Sequence, residues 1–192
     1  NYSATFATGF LLSLYLQFVK GFSPAEAGLI LVAQPILMAI ISPYAGRLAD
    51  RIDPRILASF GMGLSATGLG LLMFIGEGTS MAYIILALII LGAGFGLFSS
   101  PNSSAVMGSV SRRQYGVASA TLSTMRLVGQ MLSLGIAMLL FALIIGRVQI
   151  SPEVHAELLT SLQVAFGLFT ALCVIGVFAS LPRGKTITHD DE

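Results

Sequence analysis

Six apolar runs, each long enough to cross a bilayer and separated by short polar stretches, constrain this chain more than any other feature of it. A spanning helix needs about 20 mostly apolar residues. The runs fall at about residues 2–19, 24–45, 56–75, 81–100, 114–145 and 162–181. One such run fits the core helix of a soluble domain, but six in succession cannot all be buried in a chain of 192 residues. Composition agrees: 55% of residues are hydrophobic and 10% are charged, where soluble domains carry roughly a quarter charged residues. The reading is an all-α membrane protein with six transmembrane helices.

Local chemistry marks the ends of these runs. Ser23-Pro24-Ala25-Glu26 opens the second: Ser23 caps the helix, Pro24 suits its first position, and Glu26 closes a capping box. Gly76-Glu77-Gly78 breaks the third, and Pro101-Asn102 bends or ends the fourth. A second Ser-Pro cap, Ser151-Pro152-Glu153, precedes the sixth, whose first turns (153–160) read as amphipathic and interfacial. The chain starts at Asn1 without Met or a signal peptide, which suggests a segment of a longer protein.

Lys and Arg set the expected orientation. The loops after the second and fourth runs and the C-terminal tail hold Arg47, Arg51, Arg55, Arg112, Arg113, Arg183 and Lys185. The loops after the first and fifth hold Lys20 and Arg147. Both termini and the loop around residue 50 are therefore expected in the cytoplasm. The expected layout is a transmembrane domain over 1–182 and a cytoplasmic tail over 183–192.

The densest charge cluster lies between the second and third runs, at Pro43-Tyr44-Ala45-Gly46-Arg47-Leu48-Ala49-Asp50-Arg51-Ile52-Asp53-Pro54-Arg55. Its spacing, Gly46-x-x-x-Asp50-Arg51-x-x-x-Arg55, closely resembles the signature loop of the major facilitator superfamily. That loop joins the second and third helices of each six-helix half. Two positions depart from the pattern: family members usually have Gly where Asp53 stands and a basic residue where Pro54 stands. Other stretches are similar to the C-terminal half of the drug:proton antiporters, most like the fourteen-helix branch. These are Leu14-Tyr15-Leu16-Gln17, Ser23-Pro24-Ala25-Glu26-Ala27-Gly28, Gly92-Ala93-Gly94-Phe95-Gly96 with Pro101, and Gly116-Val117-Ala118-Ser119 with Arg126 and Gly129. The resemblance implies one half of a two-half fold that rocks around a central cavity to alternate access.

Residue roles follow partly from this resemblance and partly from the residues. The resemblance implies that Asp50 latches the cytoplasmic side by meeting the start of the fifth helix and nearby Arg. A helix N-terminus favours a carboxylate by about 0.3–1 kcal/mol. Gly46 then allows close backbone approach, with Arg51 and Arg55 as partners. The alternative is positive charge that only fixes topology. Arg126 is the one charged residue well inside an apolar run, and such residues usually mark a cavity or pathway. The 19 apolar residues from 127 to 145 nearly fill the hydrocarbon layer by themselves, so snorkelling to the interface is the alternative. Ser119, Arg126, Gln130 and Ser133 share one helical face, which favours an interior-facing Arg126. Its expected roles are anion attraction, a salt bridge to the other half, or support of the latch.

By resemblance, the first and fourth helices line the cavity. Thr5, Thr8, Leu12 and Tyr15 share a face of the first, and the small residues Gly92, Gly96, Ser99 and Ser103 form a stripe on the fourth. Gln34, beside Pro35, is a candidate for contact between halves. Ordinary helix packing is the rival explanation for each, since small residues let membrane helices approach closely.

Absences narrow the function. No Asp or Glu lies in the middle of a run, so the embedded carboxylate that a proton-coupled transporter commonly needs is expected in the other half. There is no Gly-x-x-x-x-Gly-Lys-Ser/Thr loop, no credible nucleophile with a base, and no sign of a cofactor. His155 and His189 fall in loop and tail, which argues against a metal, and a net charge of +1 argues against nucleic acid. Cys173 reads as inert packing.

The resulting expectation is not an enzyme but a secondary transporter half, exporting drugs or amphipathic small molecules against protons. Its partners would be the substrate, the bilayer, and the N-terminal half or a second copy. The same fold moving a sugar, organic anion or metabolite is the first rival. A non-transporting assembly or receptor module is the second.

Overall fold

A computed structural model of the chain describes residues 1–49, 51–146 and 155–180. Within them, six helices are long and apolar enough to cross a membrane: α1 Tyr2–Val19, α2 Pro24–Ala49, α3 Pro54–Leu72, α4 Met81–Gly108, α5 Arg112–Ile144 and α6 His155–Ser180. The chain is thus an all-α, multi-pass membrane protein. In hydrocarbon every backbone polar group must be satisfied internally, which leaves helices as the solution for segments of this kind.

Caps set most of the boundaries. Ser23 Oγ accepts from the Glu26 amide at 3.3 Å, and the Glu26 carboxylate accepts from the Ser23 amide at 2.9 Å, so the expected capping box is formed. At α3, Asp53 Oδ1 accepts from the Arg55 amide at 2.9 Å. Ser80 caps α4 by accepting from Tyr83. The far end of α1 closes differently. Its last turn, Tyr15–Val19, is π-helical. Gly21 then adopts φ +71°, and the Phe22 amide donates back to the Leu16 carbonyl at 3.0 Å. Only glycine takes that left-handed conformation without strain.

Two boundaries differ from the sequence reading. Pro101 neither ends nor visibly interrupts α4, which runs on to Gly108. A proline removes one intrahelical bond and clashes with the preceding turn, but in a packed membrane bundle neighbours can compensate for that loss. Pro101 is buried, and Ser103 Oγ donates to the Ser99 carbonyl two residues before it. Likewise α2 carries Pro43 internally and continues to Ala49, a turn beyond the expected end. The second Ser-Pro cap, Ser151-Pro152-Glu153, lies outside the described residues.

α4 is the post of the bundle. It packs on α3 along one side and α2 along the other, α6 closes against α3, and α1 lies against α5 and α6. The α3/α4 contact depends on glycine. A methyl at Gly94 would fall 2.6 Å from the Ser65 amide and 2.7 Å from the Gly61 carbonyl, and one at Gly61 would fall 2.6 Å from the Phe98 amide. These backbones touch, as small residues permit between membrane helices. The apolar interior is built by Leu11, Leu12 and Leu16 of α1, Leu69 and Leu72 of α3, Leu88 and Leu91 of α4, and Phe166 and Phe169 of α6. By contrast α2 and α5 are 6% and 11% buried over their most apolar windows, against 56% for α3. They present Leu29, Ile36, Ile40, Met131 and Leu139 outward, a surface suited to lipid or further helices.

The two ends of the bundle are distinct. At one, Pro54 and Arg55 border a groove of about 220 Å³ with Asn102 and Ser109 of α4 and Ser180 of α6. At the other, Tyr15 Oη donates to the Gly76 carbonyl at 2.8 Å, Lys20 Nζ donates to the Glu77 carbonyl, and Gln163 Nε2 donates to the Ile75 carbonyl at 2.8 Å. The α3–α4 loop is therefore clasped by α1 and α6.

The α3/α4 contact is open to test. Gly94→Ala forces two backbones apart, and overpacking of this kind costs about 1–3 kcal/mol. Gly63→Ala adds a methyl with nothing within 4 Å and gains helix propensity of up to about 1 kcal/mol. The first is expected to lower the thermal midpoint of the detergent-solubilised protein, and the second to leave it unchanged or raise it. Equal midpoints would show that the α3/α4 approach is not limited by Gly94.

Candidate functional site

An open pocket of about 380 Å³ lies where α1, α2, α4 and α5 converge. Each wall has a local origin. α1 contributes Tyr2, Thr5, Phe6 and Gly9, which fall along one side of its first two turns. α2 contributes Gln34, Pro35 and Met38; α4 contributes Phe95 and α5 contributes Gln130. The lining is mainly apolar with a few polar groups, the usual make-up of a small-molecule site.

Tyr2 organises the pocket's inner edge. Its ring meets Phe95 edge-on at 5.4 Å between centroids and Phe98 at 5.9 Å. Such pairs are worth about 0.5–1.5 kcal/mol beyond the area they bury. Its hydroxyl lies 3.3 Å from Ser99 Oγ. The Arg126 guanidinium stands over the ring, 5.0 Å from its centroid. A cation over an aromatic face gains about 0.5–2 kcal/mol, more as water is excluded. Arg126 Nε is buried and makes no hydrogen bond among the described residues. Leaving a buried donor unpaired costs about 1–3 kcal/mol, so the stacked cation is only partly satisfied.

α1 reaches this position because α5 lets it in. Gly129 sits against Tyr2 and Ser3: a methyl there would lie 2.9 Å from Tyr2 Cβ. One turn on, the buried Ser133 Oγ accepts from the Ala7 amide at 2.9 Å. That bond falls where the helical pattern of α1 is interrupted at Phe6, between Tyr2–Thr5 and Ala7–Leu14.

The structure sorts the sequence candidates. Thr5, Gln34 and Gln130 line the pocket, and Arg126 and Ser99 reach it through Tyr2. Ser133 pins α1 to α5. Ser119, on the same face of α5, is exposed two turns before Arg126. Thr8, Leu12 and Tyr15, expected on one face with Thr5, lie in the bundle interior; Thr8 Oγ1 is buried without a partner among the described residues and Tyr15 holds the α3–α4 loop. Gly92 and Gly96 are spent on the α2 contact. A methyl at Gly92 would fall 2.4 Å from the Gln34 carbonyl, and one at Gly96 would fall 3.2 Å from the Met38 carbonyl. Ser103 bonds back to its own helix.

For the loop motif, Asp50 lies outside the described residues. Gly46 packs on α4, where a methyl would lie 3.1 Å from Ser100 Oγ. Arg51 is exposed, and Arg55 borders the groove against α4 and α6. Among the described residues, no cluster of three His, Cys, Asp or Glu is placed to hold a metal. Tyr2, Phe95 and Met38 were not marked as site residues by the sequence. The available signal was position: Tyr2 lies three residues before Thr5, and Phe95 three after Gly92.

If the α1–α5 pin matters to the site, Ser133→Ala will show it. The change strands the Ala7 amide, and the expected loss is about 1–3 kcal/mol, read as a lower thermal midpoint in detergent. Ser119→Ala, at an exposed position of the same helix, is the control and is expected to be neutral. An unchanged midpoint for Ser133→Ala would show that this hydrogen bond does not hold α1.

Comparison with known proteins agrees with this architecture. The family model of the Major Facilitator Superfamily matches residues 1–189. The uncharacterized transporter YebQ of Escherichia coli (strain K12) is 36% identical over 174 residues, 91% of this chain and 36% of that protein. The riboflavin transporter RibZ of Clostridioides difficile (strain 630) is 35% identical over 65% of this chain and 27% of its own length. The multidrug resistance protein Stp of Mycobacterium tuberculosis is 32% identical over 67% of this chain and 24% of its own length. The chain therefore spans between about a quarter and about a third of these relatives. Proteins of this family are transporters rather than enzymes, and this chain, with its six membrane-spanning helices, belongs to the major facilitator superfamily.

Proposed function

We propose that this chain is a six-helix half (1–182, followed by a tail) of a secondary active transporter that exports drugs or amphipathic small molecules in exchange for protons. The observation that carries the reading is the mainly apolar pocket between α1, α2, α4 and α5, set in a chain that matches the family over nearly its whole length. The apolar, aromatic wall of Tyr2, Phe6, Met38 and Phe95 suits flat amphipathic solutes. The relative named a multidrug resistance protein points the same way. A second reading, the same fold moving a metabolite, is favoured by the relative named a riboflavin transporter.

In this proposal a second six-helix half, or a second copy, covers the open side of the pocket. It also supplies the embedded carboxylate for proton coupling. Rocking of the halves exposes the pocket to each side of the membrane in turn. The arginine-rich end, with Arg47, Arg51, Arg55, Arg112 and Arg113, faces the cytoplasm, and the clasped α3–α4 loop faces outward. Asp50 acts as the cytoplasmic latch, with Gly46 giving its backbone close approach to α4.

Cysteines placed at Asp53 and Arg113 in the full-length transporter are expected to react with an impermeant maleimide from the cytoplasm, and one at Glu77 from outside. Labelling of all three from one side would end the topology. Asp50→Asn is expected to reduce proton-driven dye efflux in proteoliposomes about tenfold, the loss of an interaction of roughly 1.4 kcal/mol, while insertion stays intact. Unchanged efflux would leave the loop a topology role alone. Efflux that ignores an imposed pH gradient would remove proton coupling from the proposal.

A further inference from the structure

We propose that Arg126 makes the pocket an anion-recognising site, so that the preferred substrates are flat aromatic molecules bearing a carboxylate or another acidic group. The inference rests on the transporter reading above and adds to it the charge class of the solute.

Three observations lead there. First, the Arg126 side chain is stacked on Tyr2, a wall residue of the pocket, and Gln130, one turn along α5, is another. The cation therefore stands one residue behind the pocket wall, against Tyr2. Second, its donors have no partner among the described residues. Nε is buried without a partner, and the guanidinium makes no hydrogen bond among the described residues. A guanidinium over an aromatic ring keeps its charge, and its planar fork of N–H groups suits a bidentate acceptor. Third, nothing described in the pocket neutralises it. The lining polar groups, Thr5, Gln34, Gln130 and the Tyr2 hydroxyl, are uncharged. A cation beside an apolar, aromatic cavity attracts an anion more strongly than it would in water. The wall of Phe95, Met38 and Phe6 then takes the ring of the same molecule.

The same carboxylate chemistry has a second possible source, an Asp or Glu of the other half, and the experiment separates the two. Purified full-length transporter is titrated with 2-naphthoate and with 2-naphthamide, which share a ring and differ in charge; binding is read from naphthyl fluorescence. The acid is expected to bind the wild type about 10- to 100-fold more tightly than the amide, the range for a charged hydrogen-bonded contact. In Arg126→Gln the ratio is expected to fall to about two or less, and Arg126→Lys, which keeps the charge but loses the fork, is expected to restore part of it. Equal affinities in the wild type, or an acid preference that survives in Arg126→Gln, would overturn the assignment. So would a lower thermal midpoint for Arg126→Gln with the acid-to-amide ratio unaltered, because Arg126 would then be pairing with a protein carboxylate. Flux assays in proteoliposomes separate this inference from the one beneath it. Transport without acid preference removes only the anion site, whereas acid-selective binding without flux of either compound removes only the transport reading.

Discussion

Close backbone approach at glycine is the interaction on which this bundle depends. Lipid tails are as apolar as leucine, so no hydrophobic force presses membrane helices together; dispersion and interhelical hydrogen bonds must do so at short range. α4 meets this requirement on two sides at once. Gly94 faces α3, where Gly61 and Ser65 receive it, while Gly92 and Gly96 face the Gln34 and Met38 carbonyls of α2. Because 92 and 96 are one turn apart and 94 lies across the helix from them, one glycine-rich segment serves two neighbours. The position of α2 against α4 then carries Gln34, Pro35 and Met38 to the pocket wall.

The pocket also depends on a polar exchange between α1 and α5. Gly129 lets α1 approach, Ser133 answers the Ala7 amide, and Tyr2 meets Arg126 over its ring and Phe95 and Phe98 edge-on. The ring that completes the α1/α4 contact is the same ring that Arg126 stands over, and it forms part of the pocket wall. At the other end, Tyr15, Lys20 and Gln163 converge on the carbonyls of residues 75–77. Those backbone acceptors are satisfied from α1 and α6, so the α3–α4 loop is tied to helices that pack inside the bundle.

The least buried helices, α2 and α5, each contribute to the pocket wall and present apolar residues outward. The bundle keeps its tight, glycine-mediated contacts around α4 and its pocket-lining polar groups on α1, α2 and α5. In the proposed half-transporter, rigid-body movement would leave the first set undisturbed while changing what the second set faces.

The sequence by itself determined the six spans, the all-α membrane class, the Ser23–Glu26 capping box and the family, because each rests on interactions within a few residues or on the length a bilayer demands. It also singled out Arg126, Gln34 and Gln130, since polar groups in apolar runs need a reason to be there. Only the tertiary structure decided which way each helix is turned. Periodicity grouped Thr5, Thr8, Leu12 and Tyr15 on one face, but the rotation of α1 was set by Gly129 and Ser133 of a helix more than a hundred residues away, and it carried three of the four inward. The small stripe of α4 was visible as a pattern, yet its use for contact with α2 depended on where α2 lay. Pro101 was read as a bend or an end because the local rule is to lose a hydrogen bond there; burial within the bundle sustained the helix past it.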